Sequence, residues 1–147
     1  MQDAILVHCH SYSHPLADLC LRFRDSATAL AALHVKADQA QPRDRCFLYA
    51  ELVSQMTDLA GKQFKSGESG QASQTLQLVQ RYAEKIHAGV PDDSKKLRDA
   101  ELLMRRASFL LKGILSAATY EDRPALEVTL KQLDEVQSEL LMQVFKK

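Results

Sequence analysis

A chain of 147 residues with 46% apolar and 26% charged side chains fits a single soluble domain, long enough to bury roughly two-thirds of its unfolded surface. Nineteen bases balance nineteen acids, so no net field draws the chain to nucleic acid or anionic lipid, and neither is expected as a partner. No apolar run approaches the roughly 20 residues of a membrane span, and five glycines and four prolines are few enough to favour helices.

Met1 to His14 has no clear period and reads as a flexible lead, its one apolar run being Ile5-Leu6-Val7; residues 15–147 read as one helical domain. Pro15 suits a first helical turn, and Leu16, Leu19, Phe23, Ala27, Leu30 and His34 then trace a helix to about Lys36. Gln39-Ala40-Gln41-Pro42 ends it, because the residue before a proline is pushed out of the helical region. Ala29-Leu30-Ala31 has the small-x-small form of an export cleavage site, but Arg22, Arg24 and Asp25 interrupt the apolar stretch that should precede it. With Cys9, Cys20 and Cys46 unable to pair completely, reduced thiols in the cytoplasm are the expected state, and export would require a different start site.

The second helix is expected from about Asp44, as N-cap, to about Lys65, with Tyr49, Val53, Met56, Ala60 and Phe64 as its stripe, widened by Leu48, Leu52 and Leu59. Ser66 to Gly70 is a turn, Gly67 suiting a left-handed C-terminal cap and Ser69 or Gly70 the next N-cap. Ala72, Leu76, Val79, Ala83, Ile86 and Val90 mark a third helix that His87 to Pro91 stops. Asp92, Asp93 and Ser94 are candidate caps for a fourth, striped by Leu97, Ala100, Met104, Ala107, Leu111, Ile114 and Ala118. After a fold-back at Tyr120 to Pro124, capped by Asp122, a fifth carries Leu126, Leu130, Leu133, Val136, Leu140 and Val144.

The predicted fold is therefore all-α: an antiparallel bundle of two helical hairpins with the N-terminal helix beside it. From Ser94 to Lys112 six bases stand against two acids, and from Glu121 to Phe145 six acids stand against two bases. A basic helix followed by an acidic one favours antiparallel docking, which makes the second hairpin the expected structural centre, although exposed pairs contribute only about 0.2–1 kcal/mol each.

Superposing Gly61 on Gly113 aligns the two hairpins, pairing Leu59 with Leu111 and, with one extra residue in the second turn, Ala72 with Ala125. Each glycine lies inside an amphipathic helix, where it costs about 1 kcal/mol relative to alanine. Close approach of a neighbouring helix at the same place in each hairpin is the expected reason. Gly61, Phe64 and Ala72 resemble the small-aromatic-small spacing of tetratricopeptide helical hairpins over about residues 44–145. The turn is a residue short of that pattern, Ser116 replaces the aromatic in the second copy, and only Pro91 could serve as the repeat-end proline.

No catalytic constellation is found: no G-x-S-x-G, no phosphate-binding G-x-x-x-x-G-K and no cofactor signature. His8, Cys9, His10 and His14 form a possible metal-ligand cluster of imidazoles and a thiol, although a folded loop holding four ligands is not evident there. Glu84 and His87 make an E-x-x-H, but a di-iron bundle needs two such motifs, and the apolar stripe at Ile86 leaves this pair at its edges as a solvated pair. On the fourth helix Arg98, Leu102, Arg105, Phe109 and Lys112 recur at four-three-four-three spacing as a second, mixed face. That face, with Tyr120 as further surplus apolar surface, reads as a site for a protein partner or self-association in a non-catalytic interaction module; the rival is a metal- or cofactor-binding helical protein.

Overall fold

The computed structural model describes residues 28–91 and 95–146, and every regular element among them is a helix. We label these α1 (residues 28–39), α2 (Pro42–Lys65), α3 (Ser69–Ala88), α4 (Lys95–Ala117) and α5 (Arg123–Phe145). The expected stripes form one core: Leu52, Val53 and Ala60 of α2, Leu76, Val79 and Ile86 of α3, Met104 and Leu111 of α4, and Leu126, Leu133 and Leu140 of α5 are all fully buried. The Met1–His14 lead, most of the Pro15–Lys36 helix and the Asp92, Asp93 and Ser94 caps lie outside the described residues.

Helix ends follow sequence chemistry, with local departures. α1 runs to residue 39 and ends at the Gln39-Ala40-Gln41-Pro42 stretch expected to stop it, Ala40 and Gln41 lying outside the helix. α2 begins at Pro42, not Asp44; the Asp44 and Arg45 amides donate to the Gln41 carbonyl at 2.9 Å each. Pro42 has no amide to leave unsatisfied in that first turn, so it starts the helix, while Asp44 holds Lys96 of α4 at 3.1 Å. Gly67 takes the left-handed conformation with φ of 77° that ends α2, and the Glu68 amide reaches back to the Gln63 carbonyl at 2.9 Å. Neither Ser69 nor Gly70 caps α3; Glu68 holds that position and makes no side-chain cap bond. Asp122 occupies the N-cap of α5, but its carboxylate accepts from Thr119 at 2.9 Å and Ser69 at 3.2 Å instead of from the helix amides.

Two hairpins, α2–α3 and α4–α5, lie side by side with like helices adjacent and parallel. α2 meets α4 at both ends, through Asp44 with Lys96 and through Gly61 with Ile114. α3 meets α5 along its length: Ser69 with Asp122, Gln80 with Thr129 at 2.8 Å and with Gln132 through its carbonyl at 2.9 Å, and His87 with Glu139. Within each hairpin the chain is antiparallel, as expected, but between hairpins it is parallel. Of the four long helices α2 has the most extensive packing, on α3 and on α4, so the centre lies at the junction of the hairpins and not in the second one alone. The opposite charges of α4 and α5 contribute little to this. Lys112 reaches Asp134 only at 3.9 Å, and Arg105 turns to Glu101 on its own helix.

α1 lies on the side of α3 away from α5. It is fixed by His34 and Asp38, which engage Tyr82 and Lys85; these sit across the helix from Gln80 and His87. The order of layers is α1, the α2–α3 hairpin, then the α4–α5 hairpin.

The two aligned glycines differ. A methyl group on Gly61 would sit 3.1 Å from Ile114 Cδ1, whereas one on Gly113 would meet nothing within 4 Å. Close approach therefore explains Gly61 and fails for Gly113, because Gly61 faces the neighbouring hairpin and Gly113 faces none among the described residues. Gly113→Ala should raise stability by about 0.5–1 kcal/mol through helix propensity alone. Gly61→Ala should gain less or lose, since Ile114 must yield; equal gains in chemical denaturation would contradict this asymmetry.

Candidate interaction surface

α4 touches α2 through the side carrying Ile114 and Lys96, and α5 through Glu101. On the side away from α2 stand Arg98, Leu102, Arg105, Phe109 and Lys112, all exposed, with Lys112 reaching Asp134 of α5 at 3.9 Å. Leu102 is 50% and Phe109 77% accessible, and Tyr120 at the hairpin turn reaches 90%. α5 is used in the same way: Gln132 and Glu139 face α3, Gln137 faces α4, and the remaining side forms an open groove with Leu130, Asp134, Leu141, Met142 and Phe145 among its lining. Both surfaces thus lie on the side of the second hairpin away from the first.

The repeat gives this surface its meaning. Superposing Gly61 on Gly113 places Arg98, Leu102, Arg105, Phe109 and Lys112 on Cys46, Ala50, Val53, Thr57 and Ala60. Those five α2 residues are all buried, and Ala50 and Thr57 share the helical stripe of Gly61, which α4 covers. The mixed face of α4 is the copy, one hairpin further on, of a face that is covered by a helix.

Its seam with α5 is built around a buried carboxylate. Glu101 is only 3% accessible, accepting from Arg105 at 2.6 and 3.1 Å and from Gln137 Nε2 at 2.7 Å. A carboxylate at such a site is retained only when hydrogen-bonded, so Arg105, counted at the outset with the partner-binding residues, also satisfies the Glu101 carboxylate that Gln137 of α5 binds. Sequence reading missed this second role, although Glu101 and Arg105 at i,i+4 gave the signal.

A second cluster escaped sequence reading altogether. Tyr49 donates to Asp38 Oδ1 at 2.6 Å, His34 Nε2 lies 3.0 Å from Asp38 Oδ2, and Tyr82 hydrogen-bonds His34 Nδ1. Lys85 stands 3.6 Å from Asp38 and over both tyrosine rings, which stack at 5.8 Å. The hydrogen bond from Tyr49 holds the Asp38 carboxyl below its ordinary range. Burial pushes the Tyr49 hydroxyl up to about 12 and raises that of Tyr82 as well. A phenol made harder to ionise is the opposite of an activated nucleophile. The cluster is a latch that fastens α1 to α2 and α3.

The other chemistry-bearing residues behave as structure. Glu84 is exposed on α3, while His87 is exposed and gives Nδ1 to Glu139 at 2.6 Å. Cys46 is a free, buried thiol, its pKa pushed up to about 11 by burial. Among the described residues no group of three or more His, Cys, Asp and Glu side chains is placed to hold a metal, and no helix is long and apolar enough to cross a membrane. His8, Cys9, His10 and His14 lie outside the described residues. Compared with known proteins, the chain matches no family model, no curated protein and no solved structure.

The hydrogen bond to Glu139 raises the His87 pKa above its ordinary 6.5. The stability this α3–α5 contact contributes is present in full below pH 6.5 and lost as pH rises through the raised value. NMR titration should find His87 above 6.5, and Glu139→Gln should bring it back down; a wild-type His87 titrating at or below 6.5 would show that the pair does not form.

Proposed function

We propose that the chain is a non-catalytic helical interaction module, and that the outer face of α4 receives an acidic amphipathic helix. The observation that carries this reading is the correspondence between exposed Leu102 and Phe109 and the covered positions Ala50 and Thr57. An end of a hairpin stack that faces only water is normally polar throughout. This one keeps two large apolar side chains a helical step apart, flanked by Arg98, Arg105 and Lys112. Paired apolar anchors at i and i+7 between basic residues suit a helix laid lengthwise, with acids on its margins meeting the bases. The resemblance of Gly61, Phe64 and Ala72 to tetratricopeptide hairpins, a class built by stacking such units, points the same way.

Two measurements test the proposal. At concentrations where the chain is monomeric, Phe109→Ala should cost under about 1 kcal/mol of folding stability, as surface changes do, whereas Leu111→Ala, at a fully buried position, should cost about 2–5 kcal/mol. Titrating the isotope-labelled chain with a synthetic acidic amphipathic peptide should shift amide resonances along Arg98–Lys112, and Phe109→Ala should abolish the response. Equal destabilisation by the two alanines would mean that the face is already buried, and would overturn the reading.

A further inference from the structure

We infer that the occupant of this face is a second copy of the same chain, joined about a two-fold axis parallel to the helices, with α4 of each copy lying on α5 of the other. The inference rests on the interaction-module reading and adds the identity of the partner. Its basis is that the outer side of the second hairpin complements itself. The α4 half presents Arg98, Arg105 and Lys112 with Leu102 and Phe109, while the α5 half presents Glu127 and Asp134 with Leu130, Leu141 and Phe145. No other described element needs to be added to supply both signs of charge and both sets of apolar groups.

Symmetry then selects the arrangement. A two-fold axis running across the hairpin would set α4 on α4 and oppose like charges. An axis along the helices sets α4 on α5 and keeps each residue at its own height. Heights are fixed within one copy by the Glu101–Gln137 contact. Counting along the antiparallel helices from there brings Arg105, Phe109 and Lys112 to within one residue, about 1.5 Å, of the heights of Asp134, Leu130 and Glu127. In the pair, Lys112 gives up its loose 3.9 Å contact with its own Asp134 and meets Glu127 of the other copy, Arg105 meets Asp134, and Phe109 enters the groove at Leu130. Each contact occurs twice, as a closed isologous interface requires. Arg105 can serve both its own Glu101 and the second copy, because the guanidinium carries five donors and its side chain is still 56% accessible.

Sedimentation equilibrium on the full chain tests the inference. Wild type should be a dimer whose dissociation constant rises with salt, as exposed charge pairs are screened. Lys112→Glu and Glu127→Lys should each raise that constant at least tenfold, since each puts like charges together twice. An equimolar mixture of the two variants should recover the dimer, because both cross-contacts then join opposite charges. Phe109→Asp, at an exposed position, should give a folded monomer with unchanged helicity, and it keeps the test decisive if a charge reversal were to unfold the chain. A wild-type chain that stays monomeric up to its solubility limit overturns the inference, whether residues 1–27 or another protein then takes the face. So does a dimer that ignores Phe109→Asp, or a mixture that fails to rescue. Monomeric wild type with a harmless Phe109→Ala would leave the interaction-module reading standing, whereas a Phe109→Ala that strongly destabilises the monomer itself would remove both.

Discussion

The contact between Gly61 and Ile114 is the constraint on which the rest of the architecture depends. Each hairpin has one apolar stripe per helix and can hide only part of it by folding on itself. The remainder is covered when α4 comes down on α2, and the two helices run parallel with backbones close enough that a side chain at position 61 would crowd Ile114. Ala50, fully buried on the same stripe as Gly61, keeps the rest of that seam thin. α3 and α5 are then carried into register, where Ser69, Gln80 and His87 find Asp122, Thr129 and Glu139. These polar contacts read as consequences of the register set at α2. Surface pairs of this kind contribute too little to impose it against apolar packing.

A stack of like units has two ends, and here they are treated differently. On one side α1 covers the first hairpin, held by the Asp38 carboxylate shared between Tyr49, His34 and Lys85. On the other side the second hairpin repeats the geometry of the first without a further layer among the described residues. The bases on α4 keep that surface wettable. Leu102 and Phe109 interrupt them at the positions where the first hairpin buries Ala50 and Thr57. Burying a large apolar side chain is worth roughly 1.5–3 kcal/mol, so two of them leave a substantial driving force unspent at this end.

The helices were legible in the sequence because their stripes keep the 3.6 period through Tyr49, Leu76, Met104 and Leu133, and each of these proved buried. Turn chemistry was legible at Gly67, whose positive φ is the role glycine fills at least cost. Register between hairpins was not. Periodicity says which face of α4 is apolar but not which helix will cover it, and the charge contrast between α4 and α5 pointed to their mutual seam instead of to α2. The same limit hid the α1 latch. His34 and Tyr82 are 48 residues apart, and nothing local in either segment announces the other. Asp122 misled for a different reason: its capping preference is real, but Ser69 and Thr119 offered its carboxylate closer donors. The mixed face was visible as spacing, and its significance emerged only when Gly61 and Gly113 were found in unlike surroundings.

Parallel stacking of the hairpins is the central claim, and one nuclear Overhauser measurement addresses it directly. The δ1 methyl of Ile114 should show a strong cross-peak to the α-protons of Gly61, because that methyl carbon lies 3.1 Å from the site a Gly61 side chain would take. If the cross-peak is missing, and Ile114 instead contacts the Asp44 end of α2, the hairpins run antiparallel to one another and the correspondence between the covered and the open face is lost.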